Sequence, residues 1–254
     1  MKIAVCIKQV PARDWQPRVD DSRTWVRDQD AAFELNEPDA YALEEGLRLK
    51  EKHGGEVVVC SAGPARVAQA LREALARGAD SAIHVESDAL GRADASVVAE
   101  ALAAAMRDEQ FDLILAGLQS DDQGFAQTGV LLAAGLGIPS ATIIMEVDVQ
   151  GNALRLKREL EGGWFQRVTL PMPALITIQS GINQLRYATL KGIMAAKKKE
   201  IRRVEPPPGL ATRQQIVALY APEKKKQTEL IGGTPAEAAK TLVRKLRDEA
   251  RVLS

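Results

Sequence analysis

The stretch "FDLILAGLQSDDQGFAQTGVLLAAGLGIP" (residues 111–139) decides how the rest of the chain is read. An apolar run, residues 112–117, has the length of a buried strand. Residues 124–136 have the length and composition of a helix. Between residues 111–116 and the apolar run 130–139 stand Asp121, Asp122, three glutamines, Ser120, Thr128 and three glycines. A simple reversal of the chain needs fewer polar groups. The stretch therefore reads as strand, polar loop, helix, with something polar bound at the loop.

The same alternation runs outward from it. Residues 2–7, "KIAVCI", read as a strand, and 38–52, "PDAYALEEGLRLKEK", as a helix with Ala40, Leu43 and Leu47 on one face. A fully apolar strand follows at 56–63, a helix at 66–78, a strand at 81–85, a helix at 94–110 and an extended segment at 140–147. Strands without polar alternation, separated by helices, predict a doubly wound, mostly parallel α/β sheet covered on both faces. After residue 147 the pattern changes. Residues 153–178 alternate, turn at Gly162-Gly163 and alternate again, which predicts an antiparallel hairpin followed by an apolar strand. Residues 205–210, "EPPPGL", read as an extended linker. Thr234, Pro235 and Glu237 open a final helix with a capping box and an apolar stripe.

Composition narrows the function. The chain has 254 residues, 46% hydrophobic and 27% charged, enough for a core and a solvated surface. Aromatics are 4% and the formal net charge is zero, which argues against a nucleic-acid platform or a charged membrane face. The charge is uneven: residues 191–203 hold six Lys/Arg against one Glu, so a partner surface is one reading and a solvated face the other. Cys6 and Cys60 lie in apolar runs and read as core, not as a disulfide or metal pair. Two histidines, His53 and His84, are too few for a His-based metal site. A long uncharged stretch, 125–145, is broken by three glycines and Pro139, so no membrane insertion is expected. The start lacks signal-peptide anatomy, which sets the expectation of a reducing compartment.

In parallel sheets, ligands bind beyond the carboxyl ends of strands. Three segments share that place: residues 8–11, "SAGPA" at 61–65, and the opening loop. A loop entering a helix presents free N–H groups that suit phosphate. Asp121 and Asp122 could cap the helix, meet ribose hydroxyls or hold a cation; the plain alternative is a capped turn with an acidic tip. Asn36, ahead of a Pro-started helix, reads as an N-cap. No nucleophile–base pair stands out, which favours a carrier or binding protein over a hydrolase.

Taken together, "IAVCIKQVP", "NEPDAYALEEGLRLKE", "GLQSDDQGFAQTG", "KRELEGG" with "LPMPALITI", and above all "RYATLKGIMAAKKKEI" (186–201) resemble the beta subunit of electron transfer flavoprotein. The resemblance covers residues 1–203 and, more loosely, the remainder. It implies an adenine-nucleotide-binding α/β fold of the HUP, Rossmann-like kind over residues 1–203. It also implies a C-terminal arm, 204–254, that docks on an alpha subunit. The implied role is an electron carrier rather than an autonomous enzyme. Electrons would pass from acyl-CoA or other flavin dehydrogenases, in fatty acid or amino acid oxidation, to a quinone oxidoreductase. FAD would sit mainly on the alpha subunit and a structural AMP on this one.

The family's nucleotide contacts fall on Cys6, Asn36, Glu37, Pro38, Asp39, Ala62, Gly117, Gln119, Ser120, Asp121, Asp122, Gln123, Gly124, Gln127 and Thr128. Its partner-recognition loop falls on residues 187–196. There Tyr187, Leu190, Ile193 and Met194 can plug an apolar pocket, and Lys197, Lys198 and Lys199 can steer an acidic partner. The ending Gln127-Thr128-Gly129 is that of the AMP-binding branch. A branch binding a second FAD, or a stress-protein-like nucleotide-binding domain, are the alternatives. The implied location is the bacterial cytoplasm or the mitochondrial matrix.

Overall fold

The computed structural model describes residues 1–222 and 228–253. The strands are β1 (Lys2–Cys6), β2 (Gln9–Pro11), β3 (Phe33–Leu35), β4 (Glu56–Gly63), β5 (Ser81–Glu86) and β6 (Leu113–Gly117). They continue as β7 (Ser140–Gln150), β8 (Ala153–Glu159), β9 (Phe165–Pro171), β10 (Ala174–Ile178) and β11 (Ile201–Val204). Nine of them form one sheet in the order β11-β5-β4-β1-β6-β10-β7-β8-β9; β2 and β3 pair separately. All pairings from β11 to β7 are parallel, and β7-β8-β9 are antiparallel. This is the doubly wound, mostly parallel sheet with an added hairpin that the alternation predicts.

The helices are α1 (Glu37–His53), α2 (Ala68–Arg77), α3 (Ala95–Met106), α4 (Thr128–Leu136), α5 (Leu190–Ala196) and α6 (Pro235–Asp248). Strand side chains alternate between the two faces. Ile3, Val5, Val57, Val59, Leu113 and Leu115 pack with Leu43 and Leu47 of α1 and Leu71 and Leu75 of α2. Ala4, Cys6, Val58, Cys60 and Ile114 face the other way, onto Leu102 and Met106 of α3 and Leu132 of α4. A Cβ at Gly46 would stand 3.0 Å from Val5 Cγ2, so the glycine lets α1 lie close on β1. The cysteines are buried and free, and His84 is fully buried with Nε2 3.1 Å from the Gly63 carbonyl oxygen.

Several boundaries differ from the pattern. α3 stops at Met106, and α4 starts at Thr128 because Gly124 and Ala126 have φ of 65° and 55°, outside the helical region. Residues 190–196 form a helix, and 201–204 add an edge strand beside β5; the sequence pattern marks neither.

The chain divides into two compact units, Met1–Val217 and Ala218–Ser254. The first runs past Arg203, where the sequence sets the start of the arm, and holds β11 and residues 204–217. In the second, Thr234 and Glu237 make the expected capping box at the start of α6, and no residue of that helix is buried. Residues 223–227 and 254 of the expected arm lie outside the described residues.

Candidate functional site

The strand order reverses at β1. The chain steps from β1 to β4 and β5 on one side, then crosses to β6 on the other. The crevice at such a switch point is where α/β sheets bind ligands. A pocket occupies it, walled by the ends of β1, β4 and β6, the start of α1, the 118–127 loop, the start of α4 and the inner side of α3. Ten residues marked by the family resemblance line it: Cys6, Asn36, Asp39, Ala62, Gly117, Gln119, Ser120, Gln123, Gln127 and Thr128. Glu37, Pro38, Asp121, Asp122 and Gly124 do not line it. Lys8 does line it, within the 8–11 segment expected at this end of the sheet; the sequence does not signal the apolar side made by Leu90, Val98 and Leu102, which reads only as core.

Asp39 is the centre of the construction. Its Oδ2 accepts the Lys8 N–H and its Oδ1 the Gly117 N–H, each at 2.8 Å, so one carboxylate ties the ends of β1 and β6 to α1. Burial pushes its pKa up to about 7 against the pull of these donors. Gly117 is required for this approach, because a Cβ there would stand 2.4 Å from Asp39 Oδ1.

Asn36 does not cap α1 with its side chain, as its position predicts. Its Nδ2 donates to the Gln119 carbonyl at 3.0 Å and its Oδ1 accepts the Asp121 N–H at 2.9 Å. Asp121 takes over at α1, accepting the Glu37 N–H at 3.3 Å. Asp122 accepts from the Lys8 ammonium at 2.7 Å. Burial works against its charge, but Lys8, Ser120 and the Gln123 N–H together outweigh it and lower the pKa. Both loop carboxylates are thus engaged in holding the loop.

The second half of the loop is free. Among the described residues, nothing accepts the backbone N–H groups of residues 125–130. The positive φ of Ala126, followed by right-handed Gln127, turns successive N–H groups toward one side, the geometry of an anion nest. They converge at the start of α4, whose dipole adds to the same field. The pocket therefore has an end with unpaired N–H donors and, at Leu90, Val98 and Leu102, an apolar end.

The predicted partner loop forms a second feature. Thr189 caps α5 through the Gly192 N–H at 3.0 Å. Tyr187, Leu190, Ile193 and Met194 are exposed, Tyr187 at 91% and Leu190 at 76%. The segment is rigidly based nonetheless. Arg186 pairs with buried Glu44 at 2.8 Å and with Glu51 at 2.6 Å, and Arg72 donates to the carbonyls of Ala196 and Lys199. Lys197 and Lys198 point to solvent. Lys199 turns inward and donates to the Leu75 and Ala79 carbonyls at the end of α2, so its charge serves that helix terminus.

Among the described residues no helix is long and apolar enough to cross a membrane, and no cluster of potential ligands could hold a metal. A family model described as the electron transfer flavoprotein domain matches residues 24–208. The chain is 37% identical to an electron transfer flavoprotein subunit beta of Methylophilus methylotrophus over 95% of this chain and 97% of that one. It is 36% identical to that of Bacillus subtilis, over 90% and 91% of the two chains. With the human subunit beta it shares 34% identity over 99% of both.

Proposed function

Because this chain belongs to the electron transfer flavoprotein family, as a beta subunit involved in electron transfer, we propose that its switch-point pocket holds a structural AMP. The observation that carries the reading is the run of unpaired N–H groups at residues 125–130, at the polar end of a pocket whose other end is apolar. A phosphate suits those donors and a purine suits Leu90, Val98 and Leu102. Asn36, Gln119, Ser120, Gln123, Gln127 and Thr128 are the polar groups left to meet the sugar and phosphate. Cys6 and Ala62 contribute backbone. The thiol of Cys6 is pushed far up by burial and stays neutral. Asp39, the pocket carboxyl with a pKa of about 7, has both oxygens taken by the Lys8 and Gly117 N–H groups, which supports a structural role for the nucleotide.

In this reading the chain is a carrier subunit rather than a catalyst. An alpha subunit, which the name of the relatives implies, holds most of the FAD. The exposed Leu190, Ile193 and Met194 of α5 dock flavin dehydrogenases, with Lys197 and Lys198 steering them, and the electrons leave to a quinone oxidoreductase. Residues 204–254 dock on the alpha subunit. Flavin supplies the redox chemistry, and this chain supplies the docking surface and its rigid base. The test is the cofactor content of the purified complex. One flavin and one AMP per complex supports the reading; two flavins without AMP would overturn it in favour of a second-FAD subunit.

A further inference from the structure

Lys8 follows β1 and, among the described residues, is the one cationic residue lining the pocket. Its ammonium donates to three side chains of the loop after β6: Asp122 Oδ1 at 2.7 Å, Gln123 Oε1 at 3.0 Å and Ser120 Oγ at 3.3 Å. Those partners use all three of its donors. Its own backbone is fixed by Asp39, so the ammonium is anchored from both ends. The loop is thereby held twice in its first half, through its backbone by Asn36 and through its side chains by Lys8. A bond from the Gly124 N–H to the Ser120 carbonyl at 2.9 Å carries that constraint into the turn.

The second half has no such ties. A left-handed, non-glycine residue such as Ala126 costs roughly 1–2 kcal/mol and persists only where its surroundings impose it. We infer that the Lys8–Asp122 pair is the latch that positions the anion-binding N–H groups of residues 125–130. The inference rests on the nucleotide reading of this pocket. Lys8 is a positioning residue and not the phosphate's counter-charge, because its donors are filled and the carboxylate beside it cancels its field.

The experiment uses the full-length chain in the complex in which it purifies, stripped of nucleotide and titrated with AMP and with adenosine. Asp122→Asn, nearly isosteric, and Lys8→Met each weaken AMP roughly tenfold, the worth of a charge-assisted hydrogen bond, and leave adenosine within about twofold. The double variant is no weaker than the weaker single one, because both changes remove the same link. Lys8→Arg, which can keep the pair, restores AMP binding. Amide exchange over residues 118–127 quickens in the two single variants without nucleotide.

Tighter AMP binding by Asp122→Asn would make Lys8 a direct counter-charge and overturn the latch. Equal losses of AMP and adenosine, additive losses, or unchanged AMP binding would overturn it too, while wild-type AMP binding keeps the nucleotide reading. A wild-type complex that binds neither ligand would refute both.

Discussion

Gly117→Ala tests the geometry of the switch point most directly. The new Cβ would stand 2.4 Å from Asp39 Oδ1 and 2.7 Å from both Asp39 N and the Pro38 carbonyl carbon, where ordinary contact begins at 3.4 Å. Two of these three atoms are backbone. The third belongs to a carboxylate fixed by two N–H donors, so none can swing aside. About 1 Å must open between β6 and α1, which breaks the bond from the Gly117 N–H to Asp39. Overpacking costs about 1–3 kcal/mol and the lost bond to a carboxylate about 1.5–3, together roughly 3–5 kcal/mol. For a chain of this length that lowers the melting temperature by about 10 °C. Gly135→Ala is the control. Its Cβ would lie 3.5 Å from Ala103 Cβ, an ordinary contact inside α4, and the change gains about 0.5–1 kcal/mol from helix propensity. Thermal and urea melts of the purified complex should move in opposite directions for the two variants. A Gly117→Ala melt within about 2 °C of wild type would refute the claim that this glycine is a contact requirement.

Leu190→Ala should slow electron acceptance from a flavin dehydrogenase roughly tenfold while flavin content and melting hold, because an exposed side chain contributes little to folding; an unchanged rate removes α5 from docking. Arg186→Met should cost about 2 kcal/mol in a urea melt, below the usual cost of breaking a buried pair, because Arg48 still reaches Glu44 at 3.1 Å. No loss would mean that the base of α5 does not depend on this ion pair. Asp39 has a folded pKa of about 7, above the ordinary value near 3.9, so its ionisation penalises the fold as pH rises through that window. The stability of wild type relative to Asp39→Asn should therefore rise as pH falls from 8 to 5, by at most about 1.4 kcal/mol per unit. His84, its pKa lowered by burial, acts with the opposite sign in both proteins and cancels in the difference. A flat difference would show that Asp39 titrates normally.

The elements that build the pocket floor were legible because local signals agree with the fold. Apolar strands, a proline-started helix and a polar loop each point to the same sheet. What was missed depends on partners far along the chain. Asn36 has the identity and place of an N-cap, yet its amide clamps the 118–127 loop through the Gln119 carbonyl and the Asp121 N–H, and Pro38 leaves the second helical position without an N–H to cap. β11 is four residues long with exposed Arg202 and Arg203, and only its parallel register with Ala82–Val85 makes it a strand. α5 contains Gly192 and is weak by propensity; Arg72 and Lys199 hold it against α2. Lys199 shows the same limit, since a lysine run reads as solvated until a helix terminus is found beneath it. The apolar side of the pocket carried no signal, because Leu90, Val98 and Leu102 are indistinguishable in sequence from core.

Both candidate features hang on α1. Its first turn supplies Asn36 and Asp39 to the pocket. Its middle and last turn, through Glu44, Glu45 and Glu51, receive Asn183 and Arg186 from the segment that leads into α5. A ligand that binds only the folded pocket stabilises it by mass action, by about 2.7 kcal/mol at a hundred times its dissociation constant. On the reading proposed above, that stabilisation falls on the ends of β1 and β6 and the start of α1. The far side of the same helix bases the docking surface. A carrier that must release its partners cannot draw rigidity from them, so its docking helix has to be firm before contact. A nucleotide that takes no part in electron transfer, placed at the other end of the supporting helix, meets that requirement without covering the surface that docks.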